Sequence, residues 1–299
     1  MRELLRGLRS QPRLADPLPV ECRDPFAVTC DPRLYVPRPA SEAALARLEA
    51  SVDAGAHCCV LSGPPGIGKT LLLRVLATRL AAEVRSVFLP YAALGLDDLC
   101  RWVLGLLEPI PRARAGDPRL QLLHQARQSG TRSRPLLLLL DDASALPRST
   151  AHGLLELAGR ARGGLRLVVV PVDDSRAGRV IAALGERVEH VRLATAMSEA
   201  ETVHYVRQRL ERCQAPPAIA ARFDAATLRR LWWESGGNPR RLHALATCVL
   251  RSPPRTGGSA GPRAAVPGGP SGGPALELSP EDGTDLRPLE GLLRLPERG

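Results

Sequence analysis

The sequence predicts an α/β fold, a parallel sheet sandwiched by helices and followed by a small all-helical unit. Three observations predict it. From residue 41 to about residue 195, short apolar runs alternate with amphipathic stretches of helical length. That is the pattern of strands joined by crossover helices and buried on both faces. Gly63-Pro64-Pro65-Gly66-Ile67-Gly68-Lys69-Thr70 fits G-x-x-x-x-G-K-[ST] at every fixed position. It lies between an apolar run and a helix, the context a phosphate-binding loop requires. After Thr195 the apolar runs stop and helical periodicity alone remains.

Taken in order, residues 1–40 read as an irregular arm, rich in Pro and Asp from residue 10 on, with Phe26 and Tyr35 embedded. Ser41 is placed to cap a helix in which Leu45, Leu48 and Val52 recur at helical spacing. His57-Cys58-Cys59 is the one Cys/His cluster, and it reads as the buried start of a strand, 58–61, rather than as metal ligands. The Gly-rich loop and a helix over 70–82 follow. A strand over 84–89 leads to a helix over 96–107, which Pro109 and Pro111 end. A helix over 120–128 precedes the run Pro135 to Leu140, a central strand that ends in Asp141-Asp142. Pro147 opens the next helix, to about Arg160. Strands over 165–170 and 188–193 flank a helix over 176–184.

The helical unit has its own local signals. Ser198-Glu199-Ala200-Glu201 is a capping box opening a helix with Val203, Val206 and Leu210. Asp224 is placed to cap a second helix, and Asn238-Pro239 pairs an N-cap with proline at the first helical position of a third. The expected division is therefore 1–40 arm, 41–195 nucleotide-binding αβα domain, 196–250 helical domain and 251–299 disordered tail. The tail is dominated by Pro, Gly and Ser to residue 274. Leu286 to Leu295 is either a short docking helix or nothing.

The site residues follow from phosphate chemistry. Backbone N–H groups of Gly63, Pro64, Pro65, Gly66, Ile67 and Gly68, prolines excepted, face an anion at the positive end of a helix. Lys69 reaches the β- and γ-phosphates of ATP, and Thr70 offers a hydroxyl to Mg²⁺. Asp141, at the end of five leucines, is the Mg²⁺-side carboxylate, and Asp142 would polarise the attacking water. Arg187, between a helix and the fifth strand, stands where an oligomeric ATPase presents a cation to its neighbour's γ-phosphate. The alternative is a structural arginine. Arg240 opens the last helix, from which it can reach the phosphates, with Arg241 as its solvent-side competitor.

Of 41 Lys and Arg residues only Lys69 is lysine. Arginine replaces lysine wherever any cation serves, as suits GC-rich coding, and the compact ammonium is kept where the phosphates need it. Net charge is +10 and the tail from Arg251 on is neutral by count, so the excess lies in residues 1–250. Double-stranded DNA or an anionic membrane face is a permitted partner, composition-driven arginine the bland alternative. Arg112, Arg114, Arg119, Arg127, Arg132 and Arg134, with Arg229 and Arg230, make up the candidate surface. No run is long and apolar enough to span a membrane. The amino end lacks the apolar stretch of a signal peptide. Seven cysteines, at 22, 30, 58, 59, 100, 213 and 248, contain no C-x-x-C and fit a reduced, cytoplasmic setting.

These residues together resemble the AAA+ ATPases of the general secretion (ExeA-like) group, related to the transposition ATPases MuB and TniB. Asp24-Pro25-Phe26 through Asp31-Pro32-Arg33-Leu34-Tyr35 looks like that group's opening segment. Ser41-Glu42-Ala43-Ala44-Leu45 looks like its following helix. Ala196 to Leu210 is similar to the start of its lid, and Gly236-Gly237-Asn238-Pro239-Arg240-Arg241-Leu242 to its sensor 2 segment. The resemblance covers about residues 24–250 and implies an AAA+ nucleotide-binding domain with a helical lid. It also implies ATP hydrolysis with Mg²⁺, self-association into a homo-oligomer and a transposase- or secretion-type protein partner. Two departures bear on hydrolysis rate rather than on binding. Asp142 and Ser144 stand where the group has glutamate and glutamine, and Val170-Pro171-Val172 stands at the sensor 1 position, with Asp173 the nearest polar group. Secretion members continue into a membrane segment and a wall-binding domain. Neither is read here, so the expectation is a soluble regulator or mobile-element accessory.

Overall fold

A computed structural model of the chain describes residues 24–107, 116–131, 134–172, 174–185 and 188–252. The sequence expectations for residues 1–23, for Arg112, Arg114, Arg132, Asp173 and Arg187, and for the tail from residue 253 on lie outside the described residues.

Five parallel strands form one sheet in the order β2-β3-β4-β1-β5: β1 Cys58–Ser62, β2 Arg85–Leu89, β3 Leu136–Leu140, β4 Leu165–Val169 and β5 Glu189–Arg192. Helices α1 Pro39–Asp53 and α2 Lys69–Arg79 cover one face. The other carries α3 Leu96–Leu107, α4 Pro118–Thr131, α5 Arg148–Arg160 and α6 Asp174–Leu184. The all-leucine run of β3 explains itself in this frame. Side chains alternate across a strand. Leu136, Leu138 and Leu140 enter the core under α3 to α6, while Leu137 and Leu139 enter the core under α1 and α2. All five are fully buried. Truncating any one of them to alanine costs about 2–5 kcal/mol.

Because β4 alone separates β1 from β3, the turns leaving these two strands open side by side at the carboxyl edge of the sheet. That crevice is where parallel α/β sheets bind ligands. The loop after β1 is 63–68, and the turn after β3 carries Asp141 and Asp142.

Beyond β5 the helical region comprises α7 Glu199–Arg212, α8 Pro217–Ala220, α9 Ala225–Ser235 and α10 Pro239–Arg251. The local signals place its helix starts. Ser198 and Glu201 form the reciprocal capping box, and the Asp224 side chain accepts from Thr227 N–H. Its core gathers Val206, Leu228, Leu231 and Leu242, and it also takes in Phe26 and Val36 from the arm. The arm is irregular apart from a 3-10 turn at Pro32–Leu34.

Two expectations need correction. Ser41 does not cap α1. Pro39, with its preset φ and no N–H to satisfy, starts the helix three residues earlier than a Ser41 cap would, and Ser41 is buried inside it. The cysteines are not all reduced: Cys213 is disulfide-bonded, whereas Cys30, Cys58, Cys59, Cys100 and Cys248 are free thiols. No described helix is long and apolar enough to cross a membrane.

Candidate nucleotide site

The loop 63–68 owes its path to glycine at two places. A Cβ on Gly63 would lie 2.0 Å from the Leu193 carbonyl oxygen, so the chain leaving β5 presses directly on the loop. Gly66, at φ +81°, would place a Cβ 2.7 Å from Arg240 Cβ and 2.8 Å from Asn238 Oδ1. No other residue type fits there without displacing the start of α10.

Lys69 opens α2 and turns its side chain beneath the loop. Its Nζ donates to the carbonyl oxygens of Gly63 at 2.6 Å and Val172 at 2.8 Å, with Pro64 at 3.3 Å. The ammonium is thus held at the mouth of the loop by acceptors from both the β1 and β4 turns. Asp141 follows β3, fixed by its N–H bond to Leu89 O at 2.8 Å. Burial pushes its carboxyl above the ordinary carboxylate range. The adjacent Thr70 hydroxyl, the Asp142 backbone and the Lys69 ammonium pull the other way, and the Asp142 carboxylate adds to the rise. A half-buried carboxylate raised in this way is one that a cation would stabilise. Asp142 is exposed and adopts the left-handed conformation, φ 44° and ψ 49°. Ser144 Oγ accepts from Val172 N–H at 2.8 Å, tying the β3 turn to the β4 turn.

The helical region closes the site from the opposite side. Asn238 Oδ1 caps α10 by accepting from Arg240 N–H and Arg241 N–H at 3.0 and 3.3 Å. The same side chain donates from Nδ2 to Pro65 O at 3.0 Å, and Arg240 N–H also reaches Gly66 O at 3.2 Å. One asparagine therefore both starts the helix and latches it to the glycine loop.

Together these groups line a cavity of about 250 Å³. The structure brings Gly66, Gly68, Lys69, Thr70, Asp141, Asp142 and Arg240 to its wall, along with Pro65. Gly63, Pro64 and Ile67 complete the loop behind it. Arg241 is exposed away from the wall. Sequence reasoning missed a second set of wall residues: Val28, Thr29 and Cys30 from the arm, Tyr205 from α7 and His243 from α10. Tyr205 and His243 share a hydrogen bond of 2.8 Å, and burial, with Arg209 adding, pushes the His243 imidazole down to about 4. His243 lies one helical turn beyond Arg240, and that spacing was the signal available in the sequence.

The candidate cationic surface fares differently. Arg119 pairs with Asp97, Arg127 donates to the Arg160 carbonyl at the end of α5, and Arg134 donates to Ala81 O at 2.7 Å. Each serves a structural bond. Arg229 and Arg230 are exposed but pair with Glu199 and Glu234.

Comparison with known proteins places this geometry. Residues 52–176 match the family described as AAA domain. No match is found among curated proteins. Among solved structures, Cdc6p from Pyrobaculum aerophilum is similar, with 17% identity, a TM-score of 0.52 and 76% of this chain against 64% of that one. The ADP form of the Aeropyrum pernix ORC2 protein gives 19% identity, a TM-score of 0.53 and 75% against 65%. The chain thus spans just under two thirds of the solved chains it matches. The chain has the fold of these P-loop structures, a parallel five-stranded sheet flanked by helices and followed by a helical region, and within it residues 52–176 are similar to the AAA domain.

Proposed function

We propose that the chain binds ATP with Mg²⁺ and hydrolyses it, as an AAA+ switch that self-associates and regulates a DNA or protein partner. The observation that carries the reading is the convergence of Lys69, Thr70, Asp141 and Arg240 on one cavity behind a glycine loop. The Aeropyrum pernix protein of the same fold is known in an ADP form, which supports a nucleotide as ligand.

The donor set suits Mg²⁺: a hydroxyl oxygen on Thr70 and a half-buried carboxylate on Asp141 whose charge partial burial disfavours. Bound there, Mg²⁺ would neutralise charge on the β- and γ-phosphate oxygens. The chain's own residues do the rest. The loop's N–H groups and the start of α2 hold phosphate, and Lys69 exchanges carbonyl partners for phosphate oxygens. Asp142 accepts a proton from the attacking water, and Arg240 ties the position of α10 to the γ-phosphate. Arg187 acts in trans on a neighbouring subunit's nucleotide.

A second reading, an ATP-binding scaffold with weak hydrolysis, draws on Asp142. It is a short carboxylate on an exposed left-handed turn, and the neighbouring wall residues are Pro171 and Val172. A DNA-binding accessory ATPase of a mobile element draws on the net charge of +10. Arg119 is neutralised by Asp97, while Arg127 and Arg134 stay exposed and charged, so this surface is open to DNA as well as to a protein partner of the transposase or secretion type that the resemblance to the ExeA-like and MuB/TniB groups implies.

Fluorescent-nucleotide titration tests the core of the reading. Lys69→Ala should weaken ATP binding by roughly 10²-fold or more, since it removes a charge and its charge-assisted hydrogen bonds. Undiminished affinity would overturn the assignment. Self-association predicts that ATPase activity per subunit rises with protein concentration and falls in Arg187→Ala by about 10³-fold or more. Activity independent of concentration would remove the trans role. Anisotropy with duplex DNA at two salt concentrations separates the partner classes, because phosphate contacts weaken steeply with salt. Absence of binding at low salt favours a protein partner.

A further inference from the structure

Among the described residues Arg209 is the largest side chain that is completely buried, at 1% exposure. A guanidinium taken out of water needs its donors met, and a hydrophobic residue of similar volume often does as well or better for stability. Arg209 is met only in part. Its Nε donates to Pro25 O at 2.7 Å and its Nη1 to Leu34 O at 3.0 Å, while Nη2 has no hydrogen-bond partner. The arrangement is therefore better at fixing positions than at adding stability.

What it fixes is the arm. Pro25 and Leu34 bracket Val28, Thr29 and Cys30, the arm residues that line the nucleotide cavity. On the near side of that stretch Phe26 packs in the helical core, 5.3 Å from Phe223 and 5.8 Å from His243 between ring centroids. On the far side Tyr35 belongs to the core under α1 and α2 and bonds Glu42 at 2.9 Å. Arg212 Nη1 adds a bond to Arg33 O at 3.1 Å. One side chain of α7 thus holds both ends of the stretch that crosses the cavity.

We propose that Arg209 is a positioning residue: by clamping the carbonyls of Pro25 and Leu34 it holds the arm over the nucleotide cavity and thereby sets nucleotide affinity without touching the nucleotide. The proposal rests on the nucleotide-binding reading above. When the clamp is released, the arm spends part of its time away from the cavity wall. Apparent affinity then falls by the fraction of competent molecules. Chemistry at the phosphates, on the opposite wall, is left as it was.

The full chain supplies its own reporter, because Cys30 sits in the middle of the clamped stretch as a half-buried free thiol. Arg209→Met keeps bulk and removes both donors. Arg209→Lys keeps the cation but offers one nitrogen to two separated carbonyls. Iodoacetamide labelling of Cys30, followed by peptide mass, should be about tenfold faster in Arg209→Met than in wild type without nucleotide. ATP affinity should fall about tenfold, while turnover at saturating ATP stays within about twofold of wild type. Arg209→Lys should fall between the two on both readouts. Lys69→Ala should lose ATP binding yet label at the wild-type rate, which separates loop failure from arm failure. Unchanged Cys30 labelling in Arg209→Met, or faster labelling with unchanged ATP affinity, overturns the clamp alone. A wild-type chain that binds ATP no better than Lys69→Ala overturns the nucleotide reading and the clamp with it. If Arg209→Met does not fold, Arg209→Lys carries the same criteria at smaller amplitude.

Discussion

The two walls of the cavity are held by different physics. On the phosphate wall most organising groups are close in sequence and backbone-centred: a glycine loop and the first turn of α2, with Lys69 bonded to carbonyls of its own loop and, 103 residues away, of Val172. On the arm wall the organising groups are buried polar side chains that meet partners far along the chain. Arg209 bonds Pro25 and Leu34, and Arg38 Nη2 bonds Thr195 O at 2.8 Å where β5 passes into the helical region. On the nucleotide reading, the phosphate wall presents charge to a ligand. The arm wall hides charge from solvent and spends it on backbone carbonyls. A substitution on the first wall should therefore act on chemistry with little effect on folding, and one on the second should act on folding or closure with little effect on chemistry.

Asp142→Asn gives the largest separation. The residue is exposed, so the fold does not depend on its charge. If Asp142 accepts the water's proton, turnover should fall by about 10²–10⁴-fold, the usual worth of a general base. ATP affinity and the midpoint of thermal unfolding should stay near wild type. Single-turnover hydrolysis with a parallel nucleotide titration measures both. Equal turnover would move the base elsewhere and favour the scaffold reading.

The same division decides what the sequence could reveal. The glycine loop, the Ser198–Glu201 capping box and the Asn238-Pro239 helix start are each complete within a few residues, and each was legible before any coordinates. So was the expectation that Asp141 and Thr70 belong to one site, because both carry oxygen donors suited to the same cation. The arm wall was not legible. Arg209 occupies a helix position like any other arginine, and its partner Pro25 lies 184 residues away. The second role of the surface arginines was hidden in the same way: Arg127 and Arg134 are exposed, as the composition suggested, and they also bond the Arg160 and Ala81 carbonyls. Ser41 failed as a cap for a purely local reason, since Pro39 offers an earlier start.

His243 sharpens the comparison from the arm wall. Burial and the nearby Arg209 hold its imidazole neutral down to about pH 4, against an ordinary value of 6.5. Between those values the unfolded chain binds a proton that the folded chain does not. Stability contributed by this residue is therefore complete above about pH 6.5 and declines as pH falls toward 4, by up to about 3 kcal/mol. His243→Gln retains a hydrogen-bonding partner for Tyr205 and removes the titration. Urea unfolding at pH 7 and pH 4.5 should show a smaller acid loss in the variant than in wild type. The carboxylates common to both cancel in that difference. An identical loss in the two proteins would mean that His243 is protonated in the folded state at the lower pH.

Asn238 stands where the walls meet, and its effect should be the smallest and the most mixed. Replacing it with alanine removes the cap on Arg240 and Arg241 N–H groups, worth about 1 kcal/mol. It also removes the Nδ2 bond to Pro65 O, worth about 0.5–1.5 kcal/mol net. The first loss belongs to the helix and the second to the contact between helix and loop. Asn238→Asp splits them, because a carboxylate caps as well as an amide but cannot donate to Pro65 O. Thermal unfolding should therefore be lowered in Asn238→Ala and largely restored in Asn238→Asp. ATP affinity should be reduced a few-fold in both, since the latch to the glycine loop is missing from each. If Asn238→Asp restores affinity along with stability, the Pro65 bond is incidental and α10 is held on the loop by Arg240 N–H and the fit against Gly66 instead.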